Sequence, residues 1–513
     1  MKPLRACSLL ITRRPWLGLM LLGLLLGFAF QGSRGLWSTD EGRYTEVALQ
    51  MLASGDYLVP AYSPDRVHLS KPPMTYWVIA GALKFLGRNT WAVRVPYALA
   101  FVLTILLLYA MGRLLLPGKP WLPGLIYACS AGPFFAANDV STDVLLVLFE
   151  ALAAVGFVRL WFGNRERRGW SDALLLWLGL GLAFLTKGPP GLILLLAVIP
   201  FVIAQEGWKG LERVFQPAGI AVFLVVGLSW YGIVVLRDPQ ALHEFLYREI
   251  YQRIFTTTLR RNPSPFGWAK VYAPTLIIGS LPWWPVLLRH GGGRFALRGQ
   301  KAWWSNHPIE GFLLLWFLLP LLVFCLARSR LPLYVLPLFM PIALLLALGL
   351  RDGVDLGRRC QRALLGAWVI ILLALKGGVA YLAHPLHDDR LAARQLATLL
   401  QPGAYDAMVF VEDAATAYVA EERIPWGLRL YLDKPVYGVA WHAPGSAERL
   451  CRAMHGHQAN LLLLQTATVS SVLRAVAKRC PVYSVVQIGY WRGHTLELAR
   501  IKTTLVHPTP ESH

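Results

Sequence analysis

Apolar residues in this chain come in long uninterrupted runs separated by short basic loops. Neither strand alternation nor a heptad repeat produces that pattern, whereas membrane-crossing helices do. The first run, PWLGLMLLGLLLGFAF, follows Lys2, Arg5, Arg13 and Arg14. Others fall near 91–116, 120–136, 142–162, 171–186, 188–204, 214–236, 268–289, 308–327, 331–350 and 361–383. Most approach the ~20 residues needed to cross hydrocarbon, which predicts about 11–13 spans. A cleaved leader would share the charge and apolar core of the first run, but no A-x-A site follows and the later spans need an anchor. The reading is an uncleaved first span with its N-terminus inside. Alternate loops then carry the basic residues: Arg113 and Lys119, Arg159 to Arg168, Lys209 and Arg213, Arg289 to Lys301, and Arg351 to Arg362. The short loops between them hold only Lys187, Arg328 and Arg330, as the positive-inside rule expects of outer loops.

Two longer polar stretches, 32–90 and 237–267, fall on the outer side. In the first, LWSTDEGRYTEVALQMLASGDY predicts a helix over about 41–53, capped by Thr39 or Asp40, with Val47, Met51 and Leu52 on an apolar face. Pro72 and Pro73 precede a second amphipathic stretch, MTYWVIAGALKFLG. Both helices are expected to lie along the membrane surface. After His384 the pattern changes to helix at 388–401, strand at AMVFVE, helix at PWGLRLYL, and strands at PVYGV, ANLLLLQ and CPVYSVVQI, with helices at 445–455 and 468–479. That alternation predicts a small α/β domain with a mostly parallel sheet. The expected architecture is a polytopic α-helical membrane protein: a transmembrane domain, 1–383, with a long first outer loop, 32–90, then an extracytoplasmic α/β domain, 384–513.

Composition narrows the function. Of 513 residues, 56% are hydrophobic and 15% charged, against about 25% charged in ordinary soluble domains. One large water-soluble core is excluded. The net charge of +21 resides mainly in short loops, so it reports topology and anionic headgroups rather than nucleic acid. Cys451 and Cys480 share the C-terminal region and can pair if it is extracytoplasmic. No glycine-rich phosphate loop opens a helix there, so nucleotide binding is unsupported.

Candidate chemistry gathers in the outer segments. Asp40 and Glu41 are first-turn carboxylates that offset a helix dipole, or, alternatively, Asp40 serves as general base or orienting group for an acceptor. Arg43 and Tyr44, within one helical turn, supply anion-binding and hydrogen-bonding groups. Lys71 is fixed by the two prolines after it and suits a phosphate grip. Asp143 stands at the outer end of the fourth span, and Glu150, seven residues on, shares its face at greater depth. For Glu150, function and a hydrogen bond to a neighbouring helix remain open. Lys187, Arg330 and the cluster Arg248, Arg253, Arg260 and Arg261 are cations on the outer side. With outward carboxylates they suit a substrate carrying a phosphate and a leaving sugar.

The residues LWSTDEGRYTEVALQML, SKPPMTYW, STDVLLVLFEAL, TKGPPG, REIYQRIF…NPSPF and SRLPLYVLPLFMPIALL, in this order, resemble the GT-C membrane glycosyltransferases. The resemblance is to the lipid A aminoarabinose transferase branch, related to the protein O-mannosyltransferases. It implies inverting transfer from a polyprenyl-phosphate sugar to an acceptor, lipid A among the candidates, at the outer face of a bacterial inner membrane. It places the first-loop acid at Asp40, the helix cation at Arg43, the lysine before proline at Lys71, the fourth-span aspartate at Asp143 and the basic residue before L-P-x-Y at Arg330. In the branch a glutamate precedes that lysine and a histidine precedes the P-F pair; this chain has Ser70 and Asn262. Losing two ligands leaves a zinc site short of its usual four donors. No cofactor is assigned from the sequence, and a divalent metal stays open. Rival readings are a transferase acting on protein or another glycan, a lipid-linked sugar flippase, and a non-catalytic envelope scaffold. No internal repeat favours the flippase.

Overall fold

The computed structural model describes residues 11–37, 40–63, 66–164, 170–256, 261–291, 306–382, 387–465, 469–480, 482–491 and 496–503. The chain forms two compact units. One comprises 1–31, 69–78 and 94–377; the other comprises 32–68, 79–93 and 378–513. Most of the first polar loop, 32–68 and 79–90, thus belongs to the unit that holds the C-terminal domain, while 69–78 belongs to the helical unit.

The first unit is helical. Seven helical segments among the described residues are long and apolar enough to cross a membrane: Thr90–Leu115, Thr142–Phe162, Pro189–Glu206, Pro217–Arg237, Pro308–Leu326, Pro332–Leu350 and Arg359–Leu382. The chain is a multi-pass membrane protein. The remaining expected runs differ in form. The first is a shorter helix, Pro15–Phe28, and the fifth is Trp170–Lys187. The runs at 120–136 and 268–289 are each divided, into Leu122–Cys129 and Ala131–Ala136, and into Gly267–Gly279 and Trp283–Gly291. Their breaks meet: the Ala131 N–H donates to the Leu281 carbonyl at 3.2 Å. The Trp368 indole donates to the Cys129 carbonyl at 2.7 Å. Backbone freed by a broken helix is stable at membrane depth only where protein satisfies it, and here it does.

Thr142–Phe162 and Trp170–Lys187 pack antiparallel along their length. A Cβ on Gly156 would strike the backbone of Leu176, and one on Gly179 the backbone of Ala153. Between apolar helices in lipid, such close backbone approach supplies the van der Waals contact that holds the pair. Ion pairs tie both ends: Arg159 with Asp172 at 2.9 Å, and Lys187 with Asp143. Lys376 is buried near the end of its own helix, donating to the carbonyls of Leu26 (3.0 Å) and Gly27 (2.9 Å). It thereby caps the C-terminus of the first helix.

In the second unit a two-stranded ribbon, β1 (Ala61–Ser63) and β2 (Arg66–Val67), accompanies a five-stranded sheet. The sheet contains β3 (Ala407–Glu412), β4 (Val436–Ala440), β5 (Ala459–Gln465), β6 (Val482–Trp491) and β7 (Leu496–Thr503), in the order β4-β3-β5-β7-β6. The β4-β3-β5 half is parallel, as expected, but β5-β7-β6 is antiparallel. The expectation of a mostly parallel sheet fails because β7 was not foreseen. Its segment LELARIKT buries Leu498, Ala499 and Ile501 while carrying charges between them. Val409, Val411, Leu462, Leu464 and Ile501 form the core beneath the helices Ser446–Met454 and Val469–Arg479.

Cys451 and Cys480 form a disulfide between those helices. With the two cysteines 29 positions apart in the chain, its reduction is expected to cost about 3–4 kcal/mol by loop-closure entropy. A thermal scan of the full chain with and without reductant checks this; an unchanged midpoint contradicts it.

Candidate functional site

The helix Asp40–Ser54 carries the first group of candidates. It was expected to lie along the membrane surface, but residues Tyr44 to Met51 are all buried in protein. Its polar side is matched by protein groups instead of by water. Arg429 donates to Glu46 at 2.6 Å and to Gln50 at 2.9 Å. The segment before the helix is fixed just as closely. The Gly35 N–H donates to Asp388 (2.7 Å), the Leu36 N–H to the Tyr431 hydroxyl (2.8 Å) and the Asp389 N–H to the Leu36 carbonyl (2.8 Å). Arg390 donates to the Gly32 and Arg34 carbonyls at 3.0 and 2.9 Å.

Within this frame the two acidic neighbours separate. Glu41 is buried, accepting from both ends of the Arg34 guanidinium (2.5 and 3.1 Å) and from the Trp37 N–H (2.8 Å). Its charge is met by protein donors. Asp40 pairs with Arg43, and its side chain stays 47% exposed while that of Arg43 is 12% exposed. Of the two, Asp40 can therefore meet a substrate. Tyr44 is buried behind them. Tyr62, on β1, is fully buried, its ring stacked on Trp426 with centroids 4.6 Å apart. Burial pushes its hydroxyl well above the ordinary phenol range, so it stays neutral.

The second group lies in the first unit. Ser141 caps the helix Thr142–Phe162 by accepting from the Asp143 N–H at 3.1 Å, which sets Asp143 at the helix start. Asp143 binds Lys187, and the Lys187 ammonium also stands 4.7 Å from the centre of the Tyr334 ring. Arg261 donates to the Tyr334 hydroxyl at 3.3 Å. Glu150 is completely buried, with neither oxygen hydrogen-bonded among the described residues, and Lys187 and Asp143 are the charges that act on it. Lys71 reaches Glu249 at 3.3 Å and the Ser70 carbonyl at 2.9 Å. Arg330 is buried, donating to the carbonyls of Asn262 (3.0 Å), Ser264 (2.7 Å) and Cys325 (3.1 Å). It organises the second polar loop. The Arg253 side chain and Arg260 lie outside the described residues.

Tyr334, Glu249 and Arg429 are among the residues of these clusters that the sequence did not mark. The first two stand inside motifs quoted for other residues, and only the third, 383 positions from Glu46, left no local signal. The family metal does not fit the residues present. The Asn262 amide donates to the Arg330 carbonyl at 3.1 Å. No group of three or more His, Cys, Asp or Glu side chains among the described residues is placed to hold an ion.

The profile of the dolichyl-phosphate-mannose-protein mannosyltransferase family matches residues 70–231. Over 398 residues the chain is 31% identical to an undecaprenyl phosphate-alpha-4-amino-4-deoxy-L-arabinose arabinosyl transferase of Pseudomonas fluorescens, covering 74% of this chain and 69% of the relative. The chain belongs to the GT-C glycosyltransferases of this aminoarabinose-transferase type. A relative of the same description from Edwardsiella ictaluri is 33% identical over 65% of this chain and 58% of its own length. The aligned part of this GT-C chain thus spans about three fifths to two thirds of the curated relatives it matches. The fold agrees with the crystal structure of ArnT from Cupriavidus metallidurans bound to undecaprenyl phosphate, with a TM-score of 0.72 at 18% identity, covering 97% of this chain and all of that one.

Proposed function

We propose that this chain transfers a sugar from an undecaprenyl-phosphate-type donor to an acceptor at the periplasmic face of a bacterial inner membrane, with aminoarabinose and lipid A as the favoured pair. The observation that carries this reading is the Lys187–Tyr334–Arg261 cluster: two cations converge on one tyrosine where spanning helices end. Such a group neutralises a phosphate that gains charge as it leaves. The relatives are named for an undecaprenyl-phosphate aminoarabinose donor, and a structural neighbour holds undecaprenyl phosphate. The Cys451–Cys480 disulfide and the distribution of loop charge support the outward placement of the C-terminal domain.

In the proposed step an acceptor oxygen attacks the anomeric carbon. The bond from that carbon to the phosphate oxygen breaks, and its electron pair leaves with polyprenyl phosphate. Lys71 and Lys187 are the cations assigned to that phosphate, and Arg330 keeps the second polar loop in place. Asp40 takes the proton of a hydroxyl acceptor, or orients an acceptor that is already an anion. No step passes through a metal. Mass spectrometry of envelope lipids from cells with and without the chain tests the pair: one added aminopentose on lipid A supports it. The same label on protein or on another glycan would replace the acceptor.

A further inference from the structure

Helix Asp40–Ser54 presents residues 42, 46 and 50 as one stripe, since positions four apart share a face. Among the described residues, those that meet this stripe belong to the C-terminal domain: Gly427 and Arg429 in one short segment, and Asp389 from an earlier helix. At Gly42 a Cβ would stand 2.7 Å from the Gly427 nitrogen and 3.1 Å from an Asp389 carboxylate oxygen, so helix and segment touch backbone to backbone. Two residues on, Arg429 spans the next two turns, bonding Glu46 and Gln50. Glu46 is completely buried, and one of its oxygens has no hydrogen-bond partner among the described residues. The first turn of the same helix carries the Asp40–Arg43 pair.

We propose that Arg429, through Glu46 and Gln50, is a positioning residue that sets the angle of the helix bearing Asp40, making the C-terminal domain a working part of the transfer site. This inference rests on the transferase reading above. The grip is charge-assisted, and one guanidinium nitrogen bonded to a carboxylate and an amide four residues apart ties two turns of the helix to one point. A mere anchor would need only one bond, and burying Glu46 in an apolar setting would serve stability better than a buried ion.

The grip is also sensitive to pH. Burial raises the Glu46 carboxyl from 4.5 to about 7, opposed by Arg429 and Arg88. Arg88 is itself paired with Asp433. The ribbon strand β1 adds only neutral Tyr62, and the Leu428–Leu432 helix adds Tyr431 beside Arg429. Two consequences have opposite signs. The folded chain binds this proton more tightly than the unfolded one. This group's stabilising contribution is therefore complete below 4.5 and is lost as pH rises through about 7. The ionised form, by contrast, holds Arg429 best, so positioning weakens as pH falls through the same range.

The test uses full-length protein in detergent: wild type, Arg429→Ala, Arg429→Lys and Glu46→Gln. Two quantities are read, amide hydrogen exchange over residues 40–54 and the kcat and KM for donor. In Arg429→Ala, exchange in 40–54 is expected to rise about tenfold while β3 and β5 stay protected, with kcat falling about tenfold or more at unchanged KM. Arg429→Lys restores part of kcat, and Glu46→Gln removes the wild-type change in exchange and kcat between about pH 6 and 8. Equal loss of protection in β3 and β5, or unchanged exchange in 40–54, overturns the proposal, as does loosened exchange with normal kcat. If wild type turns over no donor while exchange responds as expected, the grip on the helix stands and the transferase reading falls.

Discussion

Asp40→Asn is expected to lower turnover about 10²- to 10⁴-fold, the range for removal of a general base, with the fold and donor binding intact. The substitution keeps the shape and one acceptor oxygen of the side chain and removes only its charge. Asp40 is the half-exposed member of its pair with Arg43, so little packing depends on it. Glu41, its neighbour, should behave in the opposite way. Glu41→Gln loses part of a bidentate bond to Arg34 and a backbone bond from Trp37 in a buried place, and should reduce stability first and turnover second. Initial rates and thermal midpoints for both variants separate the two roles. Turnover within twofold of wild type for Asp40→Asn would remove that residue from the chemistry.

The second large effect concerns Asp143 and Lys187, whose side chains are only 8% and 7% exposed. Breaking a buried ion pair from one side costs about 3–5 kcal/mol because an unpaired charge remains. The cost should be unequal. Asp143→Asn leaves Lys187 with Glu150, a second carboxylate already under its influence. Lys187→Met leaves the buried Asp143 charge without its cation, and should destabilise more. The double variant removes the strong pair and should recover much of the loss. Thermal scans of the three variants in detergent check the order. Equal losses in both single variants would show that Glu150 plays no part.

Much of this architecture was legible in the chain. Apolar runs and loop charge marked the spans because lipid demands both, and β3, β4 and β5 declared themselves as short apolar runs bounded by turns. What stayed hidden was decided by contacts between distant residues. Glu46, Gln50 and Arg43 gave Asp40–Ser54 the polarity of a surface helix, and only Arg429 reveals that protein, not water, answers it. The division of the runs at 120–136 and 268–289 depends on each break satisfying the other, through Ala131 and Leu281. Asp40 could be picked out by its position in the first loop, but its separation from Glu41 could not. Two adjacent acids look alike until Arg34 takes one and Arg43 the other.

The central step is the departure of the sugar from a polyprenyl phosphate. The direct measurement is the release of polyprenyl phosphate by purified protein given polyprenyl-phosphate aminoarabinose and lipid A, wild type beside Asp40→Asn. Release by wild type matched by a glycosylated acceptor, and lost in the variant, is the predicted result. Intact donor after prolonged incubation, with the same protein moving that donor across reconstituted vesicles, would contradict it and make the chain a transporter.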